Sequence, residues 1–415
     1  MQEHKNKRIL MLVENAPFPY DERVRHESAA LLAKGYHVTV ISQKKKGQKS
    51  YEILDDVDVY RFPAPPDSNG VLGYLWEYGY SIFAIFLFSF YVFIKDGFDI
   101  IHVAQPPDML VFVAVFYKIF GKLYVMDHHD LTPELYTAHF RRKGGSFIYR
   151  ILVWLEKLSF HFADHVISTN ESYKEIALQR GGVEERRITV VRNGPDLKEL
   201  STSSNAKEYL RKDGRFIIGY VGVTGIQDGV SNLINAIAYL VRELKRTDIF
   251  CLILGDGAAM PSLKSLAAQL EISSYILFAG WIKSPAEIAE YFKVMDICVA
   301  PEPSDPYNSR STAAKVMEYM AMGKPIVSSD LLEHHFTARD AASYATPGDA
   351  KDFATKIVEL IDDPERRIAM GKAGQTRIET DLAWLYQAKY LLQVYDMLDS
   401  VRRENKHQRA IDGIQ

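Results

Sequence analysis

Between Asn308 and Val327 the chain reads Asn-Ser-Arg-Ser-Thr-Ala-Ala-Lys-Val-Met-Glu-Tyr-Met-Ala-Met-Gly-Lys-Pro-Ile-Val. A polar loop holding Arg310, Ser311 and Thr312 runs into a helix-forming stretch whose lone carboxylate, Glu318, sits among apolar neighbours. Gly323 stops the helix, and Pro325 leads into a strand. A loop ending on a helix N-terminus offers unpaired backbone N–H groups and the positive end of the helix dipole, so it suits a phosphate. Glu318 falls about six residues into the helix, roughly 9 Å along its axis. A carboxylate there accepts hydrogen bonds from sugar hydroxyls while phosphates occupy the helix mouth. The chemistry this pattern suits is nucleotide-sugar binding.

Other residues bear on the same chemistry. Gly219-Tyr-Val-Gly222-Val-Thr-Gly225 follows a strand and precedes a helix from about Val230. It suits either close approach of a phosphate or a tight turn, and its spacing is not the dinucleotide fingerprint. Gly255-Asp256-Gly257 is a second glycine turn after an apolar strand, on the side where parallel sheets bind ligands. His128-His129-Asp130 follows another strand. Adjacent histidines rarely converge on one metal and no third ligand is evident, so His128 reads as structural and His129 as a polar substrate contact. In the first loop, Asp21-Glu-Arg23 opens a helix whose acids suit its N-terminal turn, while Arg23 is a candidate to face a cleft.

These residues need strands and helices in alternation to position them. Arg8 to Val13, a helix from Asp21 to Lys34, Gly35, then Tyr36 to Ser42 form a β-α-β pattern. The theme recurs with Asp99 to Ala104, Pro107 to Phe120 and Lys122 to Asp127, and again with Ile148 to Phe162, His165 to Ser168 and Thr189 to Arg192. Residues 1–197 thus read as one doubly wound α/β domain, and the polar stretch 198–214 as a linker. A second set has strands at Phe216 to Val221, Ile249 to Leu254, Ile276 to Phe278, Ile297 to Ala300 and Ile326 to Ser329, giving a domain over 215–375. Helix 376–401 and a charged, frayed tail 402–415 complete the expected order. Two such domains imply a cleft for a small molecule.

Composition excludes several classes. With 415 residues, two domains are expected; 47% apolar and 25% charged content is that of a globular protein, and a net charge of -3 gives no drive toward nucleic acid. The two cysteines, Cys251 and Cys298, lie in apolar runs and read as buried reduced thiols. The apolar run after the basic N-terminus is too short for a signal peptide, so a cytoplasmic location is expected. Ser81 to Ile94 carries no charge and is rich in aromatics, with Trp76 just ahead. It is short of the roughly 20 residues that span a bilayer. Two readings stay open: a buried crossover helix, or a peripheral membrane contact over Trp76 to Ile94 helped by Lys95, Arg141, Arg142 and Lys143.

The series of the Pro-rich first loop, His129-Asp130, Asn193-Gly194-Pro195-Asp196, Gly219-Tyr-Val-Gly222, Leu254-Gly255-Asp-Gly257, Phe278-Ala-Gly280-Trp281 and Lys315-Val-Met-Glu318-Tyr-Met-Ala-Met-Gly323-Lys-Pro325 resembles glycosyltransferase family 4, from about Arg8 to Arg377. The resemblance implies a GT-B fold of two Rossmann-like domains, with C-terminal helices returning to the first. It implies retaining, metal-independent transfer of a hexose-type sugar from a nucleoside diphosphate to a glycan or lipid-linked glycan, as in cell-surface polysaccharide synthesis, with no cofactor besides the nucleotide-sugar substrate. It places Gly222, Gly225, Gly255, Gly257, Ser311 and Thr312 around the donor, Trp281 to Lys283 beside the base, Glu318 on the ribose, His129 near the donor sugar, and Pro19, Asp21 and Arg23 on the acceptor side.

Two departures matter. The family's paired-glutamate motif expects an acid eight residues before Glu318, where this chain has Arg310. The Arg and Lys usual after the glycine loop are replaced by Gln227-Asp228-Gly229. Arg310 and Lys315, flanking a helix N-terminus, are candidates to neutralise the diphosphate instead. A local Lys315–Glu318 ion pair is the alternative. A sugar-nucleotide 2-epimerase shares the architecture, and a non-catalytic partner subunit would also explain the departures.

Overall fold

The computed structural model describes residues 7–65, 70–140, 147–200, 207–211, 214–282 and 284–412. It divides into two compact units, Met1–Thr137 with Arg142–Arg192 and Gln387–Gln415, and Ala138–Arg141 with Asn193–Tyr386. The chain passes into the second unit between Arg192 and Asn193, so the boundary expected at 197 lies inside the second unit. There Trp384 N donates to Pro195 O (3.1 Å), and Gly194 packs on the Leu382 carbonyl, where a Cβ would sit 1.8 Å away. The return to the first unit begins at Gln387 and not at 376, because Ile378, Leu382 and Ala383 are buried in the core of the second. Residues 201–206 and 212–213 of the linker read over 198–214 lie outside the described residues.

In chain order the first unit contains β1 (Arg8–Leu12), α1 (Glu22–Lys34), β2 (His37–Lys44), β3 (Tyr51–Leu54), β4 (Val57–Pro63), α2 (Gly70–Lys95), β5 (Ile100–Gln105), α3 (Val111–Lys118), β6 (Leu123–His128), α4 (Thr132–Phe140), α5 (Phe147–Phe162), β7 (His165–Ser168), α6 (Glu171–Gln179) and β8 (Ile188–Val190). Its sheet runs β3-β4-β2-β1-β5-β6-β7-β8, and only β3 is antiparallel to its neighbour. The β3–β4 hairpin escapes the reading by βαβ periodicity. It turns on Asp55 and Asp56, both at positive φ (49° and 64°), as a two-residue hairpin loop requires. α1 begins at Asp21, whose side chain accepts from Val24 N, and ends at left-handed Gly35 (φ 99°). Leu10, Leu12, Ile101, Val103 and Met126 from the sheet pack on Ile85, Val92, Val111, Tyr117 and Phe160 from α2, α3 and α5. Each such side chain contributes roughly 1.5–3 kcal/mol by leaving water.

The second unit contains β9 (Phe216–Val221), α7 (Val230–Arg242), β10 (Ile249–Leu254), α8 (Met260–Gln269), β11 (Ile276–Gly280), α9 (Pro285–Val294), β12 (Ile297–Ala300), α10 (Ala314–Ala321), β13 (Ile326–Ser329), α11 (Leu332–Ala338), β14 (Ala342–Ala345), α12 (Ala350–Asp362) and α13 (Pro364–Arg377), followed by α14 (Trp384–Asp412). Its six strands, all parallel, run β11-β10-β9-β12-β13-β14. Strand order reverses between β9 and β12, and in the first sheet between β1 and β5. In open parallel sheets such switch points open a crevice at the carboxyl ends of the strands. The tail expected to fray from 402 is helical as far as Asp412.

α14 is tied to the first unit by side chains: Tyr395 OH meets His102 Nδ1 (2.7 Å), Tyr36 OH donates to Asp399 (2.8 Å), and Lys34 pairs with Asp396 (3.0 Å). Cys251 and Cys298 are free and buried, and burial pushes both thiols up to about 12.

The apolar segment around 81–94 belongs to a helix longer than its charge-free run. Trp76–Lys95 is long and apolar enough to cross a membrane by length and composition (20 residues, hydropathy 1.5). As α2 it joins β4 to β5 of one sheet, so a crossing would split that sheet across the bilayer. Nor is it a fully buried crossover, since only 22% of its apolar window is buried.

Candidate functional site

At the switch point of the second unit the loops after β9, β10 and β12 meet, and backbone crowding decides their composition. Gly222 (φ 147°) donates its N–H to Leu254 O (3.0 Å), and Gly255 (φ 138°) lies so close that a Cβ would sit 1.8 Å from Gly222 O. Thr224 N bonds Asp256 O, and a Cβ at Gly257 would lie 2.8 Å from Thr224 O. Glycine at 255 and 257 is therefore required for close packing of the two loops, and at 222 by its positive φ. Gly225 opens a short 3-10 turn, and its N–H is capped by Asp228 Oδ2 at 2.9 Å.

Lys315 is the centre of this region. It leaves the first turn of α10, and its Nζ lies 2.5 Å from Glu302 Oε1, 3.2 Å from Tyr220 OH and 3.5 Å from Asp228 Oδ1, with the Tyr220 ring 4.9 Å below it. Its aliphatic stem closes the site against Gly222, where a Cβ would come within 2.9 Å of Lys315 Cε. Burial alone would lower the ammonium pKa, but Glu302, Tyr220 and Asp228 together hold it well above the ordinary lysine value. Burial raises Glu302 less than Lys315 and His334 lower it, so its carboxylate titrates below its usual range. At Asp228 burial outweighs Lys315, and the pKa is raised. The cluster is charge-dense yet internally compensated. Lys315 thus takes its partners from β9 and from the loops after β9 and β12, in contrast to the local ion pair with Glu318.

Around it the loop 301–313 is built by Asn308, whose side-chain amide donates to Gln227 O (2.9 Å), Pro303 O (3.1 Å) and Asp305 Oδ2 (3.0 Å). One buried asparagine thus stitches the β12 loop to the glycine loop. Arg310 donates from this loop to Pro306 O (3.3 Å). Ser311 and Thr312 lead into α10, whose N-cap, Ala313, offers no side-chain acceptor to the first-turn N–H groups. Glu318 is the fifth residue of α10, half-buried, with Val316, Met317, Tyr319 and Met320 buried around it. Trp281 follows β11 and is 59% exposed, while Lys283 lies outside the described residues. Sequence reasoning missed Glu302 and the buried His334, whose Nδ1 lies 2.6 Å from Ser328 Oγ.

The first unit holds a second cluster. Arg23, expected on the acceptor side, is buried: its guanidinium grips Asp127 through two bonds (2.7 and 3.0 Å), pairs with Glu27 (3.1 Å) and donates to Val191 O (2.8 Å). Asp21 caps α1 (2.9 Å to Val24 N), and Pro19 sits in a loop whose Phe18 carbonyl accepts from Arg61 (3.0 Å). His129 Nε2 also bonds Asp127, and His129 reaches solvent (side chain 11% exposed) while Asp127 does not (0%). His102 spans Asp127 and Glu27, 3.3 Å from each. Burial opposes the charge on His102, but those two carboxylates raise its pKa to about 9. His129 is likewise raised by Asp127 against the effect of burial. Burial would raise Asp127; Arg23 and the two histidines hold it well below the carboxylate range instead. Glu27, His102 and Asp127 have donor atoms within 4.8 Å of one another, a metal-like spacing, but Arg23 and the histidines already supply the positive charge there. His128, expected to bond backbone, packs between Phe160 and Tyr173 beside Glu156, with no hydrogen bond to either ring nitrogen.

Two sheets of parallel strands, each with a loop cluster at its switch point, define a GT-B fold. A model described as "Glycosyl transferases group 1" matches residues 215–363, and one described as "Glycosyltransferase Family 4" matches 22–199. The chain belongs to glycosyltransferase family 4. It is 26% identical over 254 residues to a D-inositol 3-phosphate glycosyltransferase of Corynebacterium kroppenstedtii, which covers 58% of this chain and 54% of that protein. The chain spans about half the length of the curated relatives it matches. Among solved structures it resembles a sucrose-phosphate synthase from Thermosynechococcus elongatus (TM-score 0.79, 20% identity, 95% of this chain and 100% of that one). It also resembles Anabaena HepE in complex with UDP-glucose (TM-score 0.71, 18% identity, 95% and 99% covered).

Proposed function

We propose that the chain transfers a sugar from a nucleoside-diphosphate sugar to a hydroxyl of a glycan or lipid-linked glycan in polysaccharide synthesis, with retention at the anomeric carbon and no metal. The observation that carries this reading is the junction of Lys315 with the glycine loop at the β9/β12 switch point, on a helix whose N-terminus lacks a side-chain cap and whose fifth residue is Glu318. Departure of the diphosphate builds negative charge on its oxygens. Oriented helix amides and a fixed ammonium stabilise that charge with little reorganisation. Glu302 and Asp228 hold Lys315 ready, and Arg310 contributes from the adjoining loop. Glu318 accepts the ribose hydroxyls, and His129, its pKa raised by Asp127, is the donor-sugar contact that the family resemblance implies. With front-face attack the leaving phosphate takes the acceptor's proton, so no separate base is required.

A thermal-shift panel of nucleotide sugars tests donor binding, since a ligand of the native state raises its stability. Donor hydrolysis at wild-type rates in both Glu318→Ala and Arg310→Ala would sink the site assignment. Loss of turnover in EDTA, restored by a divalent ion, would overturn the metal-free step, and NMR of the first-formed anomer tests retention.

A further inference from the structure

The helices that cover one face of the first sheet are built the wrong way round for a face in water. A helix on a soluble surface buries an apolar stripe and turns charged residues outward. α2 buries Ala84, Ile85 and Val92, yet its outer side presents Phe83, Leu87, Phe90 and Ile94, spaced by four, three and four residues. Its neighbour α3 exposes Phe112, and Ile119 and Phe120 follow at its end; Ile119 is 78% exposed. α5 exposes Phe147 (78%), Ile151 and Trp154 on one stripe together with Arg150 and Lys157.

The three stripes belong to one surface. Phe86 and Phe90 of α2 meet Phe116 of α3 at ring distances of 5.1 and 6.3 Å, Phe93 meets Phe120 at 5.3 Å, and α3 packs on α5. Lys95 at the end of α2 is held by Tyr60 (3.0 Å) and Asp96 (3.7 Å), and Lys118 at the end of α3 by Asp164 (2.6 Å), whereas Arg150 and Lys157 on α5 are exposed with no exposed acid beside them on that helix. α3 contains no acidic residue, and the one carboxylate of α5, Glu156, is buried on Arg180 (2.6 Å). Glu77 is the one acid of α2 and lies near its start, while Lys95 closes its far end.

We propose that the outer face of α2, α3 and α5 is a lipid-binding surface that seats the first unit on an anionic membrane. Aromatic and aliphatic side chains enter the interfacial layer while Arg150 and Lys157 meet anionic headgroups. A two-fold pairing of this face with a second copy would set those cations against one another. The surface gives the lipid-linked acceptor reading above a physical basis but does not depend on it.

Sedimentation of the whole chain with vesicles of phosphatidylcholine alone, or with phosphatidylglycerol added, tests the proposal. Binding is expected with phosphatidylglycerol and to weaken as salt is raised. Ile119→Gln or Phe83→Gln should weaken it about tenfold or more, and Arg150→Gln with Lys157→Gln should remove the preference for anionic lipid. Trp154 should be quenched by brominated acyl chains, and Trp154→Phe should reduce that signal. No sedimentation with either vesicle while circular dichroism shows a folded chain would overturn the proposal. So would concentration-dependent dimers abolished by Ile119→Gln without vesicle binding. The sedimentation uses no donor or acceptor, so failure to bind vesicles refutes the surface alone, while failure of the separate nucleotide-sugar panel refutes the glycosyl reading alone.

Discussion

Replacing Lys315 by methionine keeps the stem that packs on Gly222 and removes the ammonium between Glu302 and Asp228. At an effective dielectric of about 20, the direct attraction is about 7 kcal/mol for Glu302 at 2.5 Å and about 5 kcal/mol for Asp228 at 3.5 Å. Most of that offsets the desolvation of three charged groups, so the measurable quantity is the cost of leaving Glu302 buried without its cation, about 3–5 kcal/mol. For a unit of this size that is on the order of a 10 °C fall in melting temperature. Urea unfolding of wild type, Lys315→Met, Glu302→Leu and the double variant forms the cycle. The double variant should recover to within about 1–2 kcal/mol of wild type, because the buried Glu302 carboxylate is gone and Asp228 keeps its bond from Gly225 N. The penalty also depends on pH. Glu302 has its folded pKa lowered by Lys315, so the stability it contributes is present above its unfolded value of about 4.3 and is lost as pH falls through the folded value. The loss in Lys315→Met should therefore be full at pH 7 and shrink as pH falls below about 4. A single variant within about 1 kcal/mol of wild type, or a loss independent of pH, would refute the buried-pair account. The double variant also separates roles: regained stability without nucleotide-sugar binding is expected if Lys315 holds the diphosphate.

Three further outcomes follow from the geometry. His102 has its pKa raised to about 9, so the stability it contributes is complete below its unfolded value of about 6.5 and is lost as pH rises through about 9. The urea-midpoint difference between wild type and His102→Asn should accordingly be larger at pH 6 than at pH 9.5. Tyr395→Phe removes the partner of buried His102 Nδ1 and should cost about 1–3 kcal/mol, read by chemical denaturation. Gly255→Ala should prevent stable folding because its Cβ meets Gly222 O, whereas Gly280→Ala, with φ 76° and open space, should cost only about 1 kcal/mol by thermal melting.

The amino-acid order by itself determined much of the second sheet. Phe216–Val221, Ile249–Leu254, Ile297–Ala300 and Ile326–Ser329 are strands with the bounds read from sequence, because buried parallel strands are continuous apolar runs with sharp ends. The βαβ alternation and the glycine-rich turns were legible for the same local reason. The β3–β4 hairpin was not, since its short strands depend on pairing with β2 more than on period. Nor were the charge partners. Lys315 meets Glu302 thirteen residues away and Tyr220 ninety-five away, and Arg23 meets Asp127 across 104 residues. Sequence spacing carries no record of such meetings, which exist only where the strand order reverses and loops from distant strands share one edge. The apolar run in α2 gives the clearest division. Its composition fixed a helix rich in aromatics, but only packing against α3 and the sheet decided which side is core and which is left facing outward.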